Sequence, residues 1–463
     1  MSIKRASATA LFAVISAFAV FAQNPVLSLD QCLSIALDKN PTVRVADMEV
    51  ERMDYSKKDV LGQLLPAVDF GANYSRMLAK QVMYMNMDAF GGAAGGDDTA
   101  ADENSSRNNG IKMGLDNSWS LGFNASLPVI APQLWKSLSI SDAQILRSLE
   151  ASRQSKQALV NQVKSAYYAL LLANDSKEVI KQSYDMAAFT YETYSKQYSL
   201  GAASDYDVLR TSVAVKNIEP QLMQADIAIK QARLQLLILM GLDANFEFDP
   251  ATSLREYEKE MYGTTLALTN DYSMNADLKL MDIDTDILDK TVSMRKLSFL
   301  PTLALSANYN WTAMNNGNPF SNLRWNPYST VGVSLTFPIY QGGRRWSQLK
   351  QAQVQAAEMR LQRDNLERSV AMQVDLAVDN IKMNVKQIAS CSESVKEAER
   401  AHNIMEQSFN IGAASYLELR DSELALTQAR LTYYQAIYNY LIANSELELL
   451  QGNAPVEKYS NNK

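Results

Sequence analysis

The chain has 463 residues and a formal net charge of −7 at neutral pH, a length that suits one large domain or two ordinary ones. No long run of lysine and arginine interrupts this acidic balance, which argues against nucleic acid as a partner. The two cysteines, Cys32 and Cys391, stand far apart in the sequence and indicate neither a disulfide framework nor a metal site.

Residues 1–22 are predicted to be an export signal peptide. Lys4 and Arg5 precede an apolar run over 8–21, and small residues near Ala22 suit cleavage. No later stretch of roughly 18 uncharged apolar residues follows. The mature chain is therefore not expected to cross a membrane through helices, whereas crossing through β-strands stays open.

Two shorter helices are predicted after the signal peptide, and another in the second half of the chain. Ser28 and Gln31 have the spacing of a capping box, which opens a short helix that ends before Asn40. A helix of about two dozen residues is predicted over Thr42–Leu64, and a similar one over Asp277–Phe299.

Four segments alternate between apolar and polar residues, as β-strands with one apolar face do. Each has about ten residues, enough to span a bilayer when the strand is tilted. The opposite faces are small and uncharged apart from Asp69, as the wall of a water-filled lumen prefers. The apolar positions are Val68, Phe70, Ala72 and Tyr74; Trp119, Leu121, Phe123, Ala125 and Leu127; Leu303, Leu305, Ala307, Tyr309 and Trp311; and Val331, Val333, Leu335 and Phe337.

These strands favour a membrane β-barrel over a soluble sandwich, which would also bury one face of each strand. Four strands are too few to close a barrel, and open sheet edges find no hydrogen-bond partners in lipid. The barrel is therefore expected to be shared between subunits, in a number that the strands leave open.

Two very long helices are predicted, the first between Pro132 and Gly201, where neither proline nor glycine interrupts the chain. Near the end of each, side chains recur at heptad spacing and predict a packed seam. The seam positions are Tyr184, Ala187, Tyr191, Tyr194 and Tyr198 in the first helix, and Val395, Ala398, His402, Met405 and Phe409 in the second.

Glycines end both long helices and reverse the chain, at Gly201 and Gly412. Ser204 and Ser415 then have the side chains to cap the returning helices. Pro220 lies inside the first returning helix and is expected to kink or break it.

The chain consists of two copies of one unit. Residues 200–204, Leu-Gly-Ala-Ala-Ser, match 411–415, Ile-Gly-Ala-Ala-Ser, at an offset of 211, and the match continues without a gap. In each copy, the shorter and the returning helix are expected to stack end to end against the long one. The predicted boundaries are a first copy over 23–241, a connecting segment over 242–270, a second copy over 271–452 and a tail over 453–463.

In this order and in duplicate, the motifs resemble those of the TolC-like outer membrane efflux protein family across nearly the whole mature chain. They are the opening Leu-Ser-Leu-Asp-Gln-Cys-Leu-Ser-Ile-Ala-Leu-Asp-Lys-Asn-Pro, a Leu-Pro before the first strand of each copy, Phe-Pro-Ile-Tyr-Gln-Gly-Gly at 337–343, and the paired Gly-Ala-Ala-Ser turns. The resemblance implies an α+β membrane protein of the cell outer membrane. It also implies that three copies share a twelve-stranded β-barrel on a long α-helical periplasmic barrel.

The resemblance also implies the assembly and its partners. The chain would form a homotrimer and contact a periplasmic adaptor (membrane fusion) protein, an inner-membrane pump and outer-membrane lipid. No cofactor is implied. The adaptor is expected to engage the helical tips, which lie farthest from the membrane. Its contacts would be Leu200, Gly201, Ala202 and Ser204, together with Ile411, Gly412, Ala413 and Ser415.

The family's closed periplasmic entrance maps onto five positions of this chain. Asp207, Glu418 and Asp421 fall where the family has pore-lining aspartates, whereas Phe409 and Ala414 replace the tyrosine and arginine that lock the entrance. The family's salt-bridge lock therefore cannot form as such, and Arg210 or Arg420 are candidates to replace it. The acids predict a negative constriction that favours cations.

Together these features predict a passive exit duct of a tripartite efflux pump that exports small molecules and drugs. A duct for type I protein secretion is one alternative, and a soluble periplasmic coiled-coil scaffold is the alternative from a different class. An enzyme is not expected, because the chain has no phosphate-binding loop or nucleophile motif and only one histidine, His402.

The loop over 76–116 carries methionines that could bind soft metal ions such as Cu(I). They are Met77, Met83, Met85, Met87 and Met113. A surface loop rich in glycine and aspartate is the commoner explanation, so no metal site is assigned.

Overall fold

The computed structural model describes residues 25–83, 111–258, 270–454, 456 and 458. The predicted signal peptide and most of the methionine-containing loop, including Met85 and Met87, lie outside these ranges. The described chain forms two compact units. The core unit comprises the described residues up to Met53, Ile145–Asp286 and those from Ala357 onward; the strand unit comprises the described parts of Asp54–Gln144 and Ile287–Ala356.

The helices and strands follow the predicted order. The main helices are α1 Leu29–Lys39, α2 Pro41–Gly62, α3 Pro132–Ser199, α4 Asp205–Met240, α5 Ala276–Leu297, α6 Arg344–Asn410 and α7 Tyr416–Gln451. The strands are β1 Val26–Leu27, β2 Ala67–Arg76, β3 Gln81–Met83, β4 Ile111–Met113, β5 Asn117–Ile130, β6 Asp249–Pro250, β7 Thr302–Asn315 and β8 Asn326–Thr336. Within the described ranges, no helix combines the length and low polarity that crossing a bilayer demands.

Strands β2, β5, β7 and β8 form one antiparallel sheet, in that order. The predicted apolar positions face each other across it, since Phe70 pairs with Phe123 and Phe123 with Tyr309. The rings of Phe70 and Phe123 have centroids 5.0 Å apart. On β8, Val331 and Val333 are 78% and 69% exposed. The four predicted strands are confirmed, and their apolar face is unshielded within one chain.

Two glycines of this sheet, Gly71 on β2 and Gly122 on β5, stand directly opposite each other. A Cβ at Gly71 would meet no heavy atom within 4 Å. A Cβ at Gly122 would overlap the side chain of Asn310 and lie 2.8 Å from the carbonyl oxygen of Tyr309. Only at Gly122, therefore, does the absence of a side chain let the neighbouring strand approach so closely.

The core unit is built around apolar side chains from both copies of the repeat. Cys32 of α1, Tyr167 of α3 and Leu237 of α4 are fully buried together. The connecting segment joins them, because Phe248 and Leu254 are also fully buried. Its strand β6 pairs in parallel with β1. The described part of this segment, for which the sequence shows no pattern, is thus held to the core at both ends of β6.

The two shorter helices of each copy meet end to end, as predicted, and an asparagine side chain connects them. Asn40, before α2, donates its side-chain amide to the carbonyl oxygen of Leu239 at the end of α4, at 2.8 Å. Asn275, before α5, does the same to Leu450 at the end of α7, at 2.7 Å. Each amide oxygen in turn accepts a hydrogen bond from the first turn of the helix that follows.

Glycines complete these two junctions. Gly241 and Gly452 end α4 and α7 with left-handed φ angles of 64° and 72°. A Cβ at Gly241 would lie 2.8 Å from the carbonyl oxygen of Lys39, and one at Gly452 would overlap the carbonyl group of Met274. Glycine is therefore required twice, for its backbone angle and for the close approach of the neighbouring chain.

One expectation about α4 was wrong in part. Helix α4 runs from Asp205 to Met240 without interruption, so Pro220 does not break it. Proline removes one backbone hydrogen-bond donor, and packing on either side offsets that loss, because Ala214 and Ala225 are both buried.

The seam predicted on α3 is also only partly correct. Ala187 is buried, but Tyr191 and Tyr198 are 37% and 49% exposed. The buried positions beside Ala187 are instead Ser183 and Thr190. Small side chains let the neighbouring helix approach closely, and the bulky tyrosines lie at the margin of the contact.

Candidate functional site: the two helical tips

The first tip, Leu200–Ser204, connects α3 to α4 by a short glycine turn. Gly201 has a φ of 74°, which glycine adopts without the strain that a Cβ would cause. Its backbone N–H donates to Tyr198 O at 2.9 Å, and the next N–H, of Ala202, donates to Gln197 O at 2.8 Å. These bonds satisfy the last carbonyl groups of α3.

The second tip, Ile411–Ser415, repeats this geometry between α6 and α7. Gly412 has a φ of 77°, its N–H donates to Phe409 O at 2.9 Å, and Ala413 donates to Ser408 O at 2.8 Å. The half-buried Ala414 also donates its N–H to Ser408 O, at 3.2 Å. The sequence match between the tips therefore extends to individual hydrogen bonds.

Both predicted serine caps are confirmed, and each engages one of the predicted entrance acids. Asp207 N–H donates to Ser204 Oγ at 3.2 Å, and Ser204 N–H donates to Asp207 Oδ2 at 3.3 Å. The corresponding distances between Glu418 and Ser415 are 3.3 and 2.7 Å. Hydrogen bonds from Ser415 hold the pKa of Glu418 below its usual value, so this acid is charged at neutral pH.

An aromatic cluster joins the two tips within one chain. The ring of Tyr194 lies 6.4 Å from that of Phe409 and 5.8 Å from that of Tyr416, the latter edge to face. The guanidinium of Arg210 lies over the Tyr416 ring, 4.4 Å from its centroid. Burial raises the pKa of Tyr416, opposed by the charge of Arg420. Phe409 thus serves here as a packing partner, and Arg210 and Arg420 both act on Tyr416.

Sequence reasoning did not single out Tyr416. Its position opposite Asp205 in the aligned repeats, where an aromatic residue replaces an acid, was the signal available. The neighbouring Asp421 is exposed and follows one helical turn after Glu418, so both carboxylates belong to the solvated start of α7.

Sequence reasoning also missed Glu423, because the side chains around it come from two helices. Burial raises the pKa of Glu423 to about 7, an effect that the charge of Glu406 reinforces and that of Arg420 opposes. On the same helix pair, His402 is 8% exposed, with its Nδ1 3.2 Å from Ser422 Oγ. His402 therefore packs in the α6 seam, as predicted from its heptad position.

The apex of each tip presents apolar side chains to solvent. Leu200 and Ile411, at matching positions, are 83% and 82% exposed. Two residues after each serine cap, Tyr206 and Leu417 also match in the repeats and are exposed. The two tips therefore expose the same apolar positions to solvent. Within the described chain, no group of three or more His, Cys, Asp and Glu side chains is placed to hold a metal ion.

Each half of the chain contributes two strands of the sheet, a long helix and a returning helix, which defines a duplicated fold. The profile of the outer membrane efflux protein family matches residues 32–242 and 273–453, which together make up most of the chain. The protein belongs to the outer membrane efflux protein family. The predicted family and outer-membrane localisation are confirmed, and the soluble scaffold alternative is wrong. The family comprises channels and is not a family of enzymes.

Individual relatives agree with this assignment. Outer membrane protein TolC of Vibrio cholerae is 21% identical over 71% of this chain and 75% of its own length. Alkaline protease secretion protein AprF of Pseudomonas aeruginosa is 25% identical over 67% of this chain, and the chain spans 64% of its length. The first relative is named as an outer membrane protein and the second as a protein of alkaline protease secretion.

The solved structure of the Campylobacter jejuni CmeC outer membrane channel has the same fold. It superposes with a TM-score of 0.71 at 18% identity and covers 94% of this chain and 89% of its own. The TolC-like α+β fold predicted from the duplicated motifs is thereby confirmed.

Proposed function

We propose that this protein is the passive exit duct of a tripartite efflux pump in the outer membrane. An inner-membrane transporter would supply small molecules, and a periplasmic adaptor would join that transporter to the helical tips. The observation that carries the proposal is the matched pair of exposed apolar tips, Leu200 and Ile411. Each tip ends a helix, α3 or α6, that begins within a few residues of a strand of the four-stranded sheet.

The open sheet argues that several copies of the chain share one barrel, and we propose that the working form is a homotrimer. Strands β2 and β8 are its edges, and their free backbone groups need partners in a membrane. Closing the sheet with copies of itself satisfies them. Three copies, the number that the family resemblance implies, also give a ring of paired tips. Crosslinking between β2 and β8 of different copies should produce a ladder that ends at the trimer.

The site residues take specific roles in this proposal. The adaptor contacts are the two tips, Leu200–Ser204 and Ile411–Ser415, where backbone turns expose apolar side chains. The entrance acids are Asp207, Glu418 and Asp421, placed on the first turns after the tips. Phe409 and Ala414 leave the family's salt-bridge lock unavailable, and the cluster of Tyr416 with Arg210 is the contact that we propose in its place.

The proposed function is tested by separating adaptor engagement from conduction. In a strain that lacks the gene, accumulation of a fluorescent dye should rise and return to normal with the wild-type protein. Leu200→Asp with Ile411→Asp should fail to restore export, because each places a charge on an apolar contact. Leu200→Met with Ile411→Met keeps the apolar surface and is the matched control.

The same variants should be reconstituted in planar bilayers without other components. The aspartate variant should conduct as the wild type does, because its sheet is unchanged. If the wild-type protein forms no ion-conducting channel, the duct proposal is wrong. If the aspartate variant exports dye normally, the tips are not the adaptor contact.

Protein secretion is retained as a second function because one relative, AprF, is named for alkaline protease secretion. The chain itself offers no residue that separates the two substrate classes. A secretome comparison of the deletion strain with its parent distinguishes them, since loss of a secreted protein with unchanged dye accumulation favours secretion.

A further inference from the structure

The helical and turn residues of the strand unit carry a positive charge that the rest of the chain does not share. We call these residues the collar, and they are 54–66, 131–144, 287–301 and 337–356. The collar contains nine lysine and arginine residues and four aspartates, a net formal charge of +5. The whole chain has a net charge of −7, so the cations are concentrated where helices meet strands.

Some of the collar cations are neutralised within the protein. Lys57 pairs with Asp142 at 2.7 Å, and Lys58 pairs with Asp54 at 2.6 Å. Others form no ion pair with a described residue. These are Lys136, Arg295, Lys296, Arg344, Arg345 and Lys350. Because these six sit at the ends of three helices, the excess charge is a property of the collar and not of one helix.

Arg345 fastens the turn after β8 to the end of the preceding helix. Its guanidinium donates to Ser298 O at 2.5 Å and to Gln341 Oε1 at 3.1 Å. This clamp holds the start of α6 beside the last turn of α5, where Arg295 and Lys296 lie. Cations from two helices therefore belong to one surface.

The apolar face of β8 continues into this charged surface. Val331, Val333 and Leu335 alternate along the strand, and Phe337 and Ile339 extend the alternation beyond its end. Ile339 and the next residue, Tyr340, are 88% and 84% exposed. An apolar face that would contact acyl chains thus ends at the basic surface.

A tryptophan stands at this boundary. Trp346, in the first turn of α6, is exposed, and Lys350 Nζ lies 5.6 Å from the centroid of its indole ring. Tryptophan and tyrosine favour the headgroup level of a membrane, where one part of the ring is in contact with apolar groups and another with water. Lysine and arginine beside them attract anionic headgroups.

We propose that the collar binds the phosphate groups of anionic phospholipids in the periplasmic leaflet of the outer membrane. This inference rests on the proposed function, which directs the helical tips into the periplasm and so brings the collar to that leaflet. Arg344, Lys350 and Lys296 contact the phosphates, Trp346 and Tyr340 lie among the headgroups, and Arg345 positions the turn. A second copy of the chain is a poorer occupant, because it would bring like charges together.

The test measures contact between Trp346 and lipid in reconstituted bilayers. Phosphatidylglycerol or phosphatidylethanolamine, brominated on the acyl chains, is added at equal mole fraction, and the fluorescence of Trp346 is taken as the difference between wild type and Trp346→Phe. Quenching by the anionic lipid should be about twofold stronger, since each nearby cation favours it. Raising the salt concentration should reduce the difference.

Two triple variants separate the collar from charge in general. Lys296→Gln, Arg344→Gln and Lys350→Gln together should abolish the preference for phosphatidylglycerol. Lys181→Gln, Lys216→Gln and Lys386→Gln remove the same charge from exposed positions of the core unit and should leave the preference intact. Conductance of each variant verifies that it has folded and inserted.

The outcomes distinguish this inference from the proposed function. Equal quenching by both lipids in a conducting wild-type protein overturns the inference alone, whereas a protein that never conducts overturns the proposed function. Absence of quenching by either lipid would mean that another copy of the chain covers the turn. Loss of the preference on adding inorganic phosphate, at an ionic strength at which chloride has no effect, would mean that the cations bind free phosphate instead.

Discussion

Two acids on the same helix show how single residues near the tips differ in their surroundings. Glu418 accepts hydrogen bonds from Ser415, which lower its pKa. Glu423, less than two turns further along α7, has a pKa raised to about 7 because it is partly buried. The sequence predicts the first, since a serine followed three residues later by glutamate is a capping box. It does not predict the second, because that burial depends on how α6 packs on α7.

Replacing Glu423 with glutamine should stabilise the protein at alkaline pH. The folded state retains a proton on Glu423 between its ordinary pKa of 4.5 and about 7, whereas the unfolded chain has released it. Stability therefore falls as pH rises through this window. Glu423→Gln has no charge to bury and should gain about 1–2 kcal/mol at pH 8 after allowance for solvent screening.

Thermal unfolding in detergent, followed by circular dichroism, measures this effect. The advantage of Glu423→Gln should disappear at and below pH 4.5. Glu397→Gln, on the exposed face of α6, is the control and should change little at any pH. An equal gain for both variants, or a gain that persists in acid, would contradict the assignment.

The two cysteines should react at very different rates. Cys32 is completely buried, and burial raises its pKa to about 12, so the thiolate that attacks a maleimide is almost absent. Cys391 is only half-buried and its pKa is also raised. In Cys391→Ser, labelling of Cys32 should therefore follow unfolding of the core unit, and mass spectrometry after graded urea measures it. Rapid labelling of Cys32 under native conditions would show that the core opens locally.

At the scale of elements, the ends of helices were predictable and the sides were less so. A helix end depends on a few adjacent residues, and both serine caps and both glycine turns follow from local sequence. The seam of α3 depends on which face meets another helix. Tyrosines at heptad spacing suggested one face, but Ser183, Ala187 and Thr190 are the buried side chains.

Loss of the second serine cap should loosen the start of α7. Ser415→Ala removes the acceptor for Glu418 N–H and should cost about 1 kcal/mol of helix stability. Hydrogen exchange of the first amides of α7 should accelerate about fivefold. Ser415→Asn retains an acceptor and should exchange at the native rate; if alanine protects these amides as well as asparagine does, the cap contributes nothing.

The two facing glycines of the sheet should differ in how well they tolerate alanine. Gly122→Ala forces a Cβ onto Asn310 and the backbone at Tyr309, and overpacking of this kind costs about 1–3 kcal/mol. Gly71→Ala, on the paired position, meets no atom within 4 Å and should be nearly neutral. The yield of folded, heat-resistant protein in outer membranes reports both, and equal yields would contradict the strand register.

At the scale of the whole molecule, duplication made most of the architecture predictable. The matched motifs alone predict the four strands, the long helices and both tips in the right order. The end-to-end stacking of the shorter helices was predicted, but the hydrogen bonds of Asn40 and Asn275 were not, since their partners lie about 200 and 175 residues away in the chain. The positive charge of the collar was also not predicted from the sequence, because its lysine and arginine residues come from separate segments that the fold brings into one unit.

The acids of the tips should make the channel prefer cations. In the proposed trimer, Glu418 and Asp421 recur around one opening, and like charges add their fields there. Glu418→Gln with Asp421→Asn should reduce the ratio of potassium to chloride permeability, measured from reversal potentials in a salt gradient. Glu219→Gln with Glu397→Gln removes two exposed acids farther from the tips and should have less effect. Unchanged selectivity in the first variant would mean that the tip acids do not line the pathway.

The two junctions have kept one chemistry, whereas the first turns of the helices that follow the two tips have diverged. Asparagine and glycine recur at both junctions, but Arg210 of the first copy is matched by Asp421 in the second. Around the mouth of a three-chain ring, the tips would therefore alternate between two kinds. The ring would offer six binding sites of two alternating types. One adaptor protein could therefore bind the three sites of one type and leave the other three to a different adaptor.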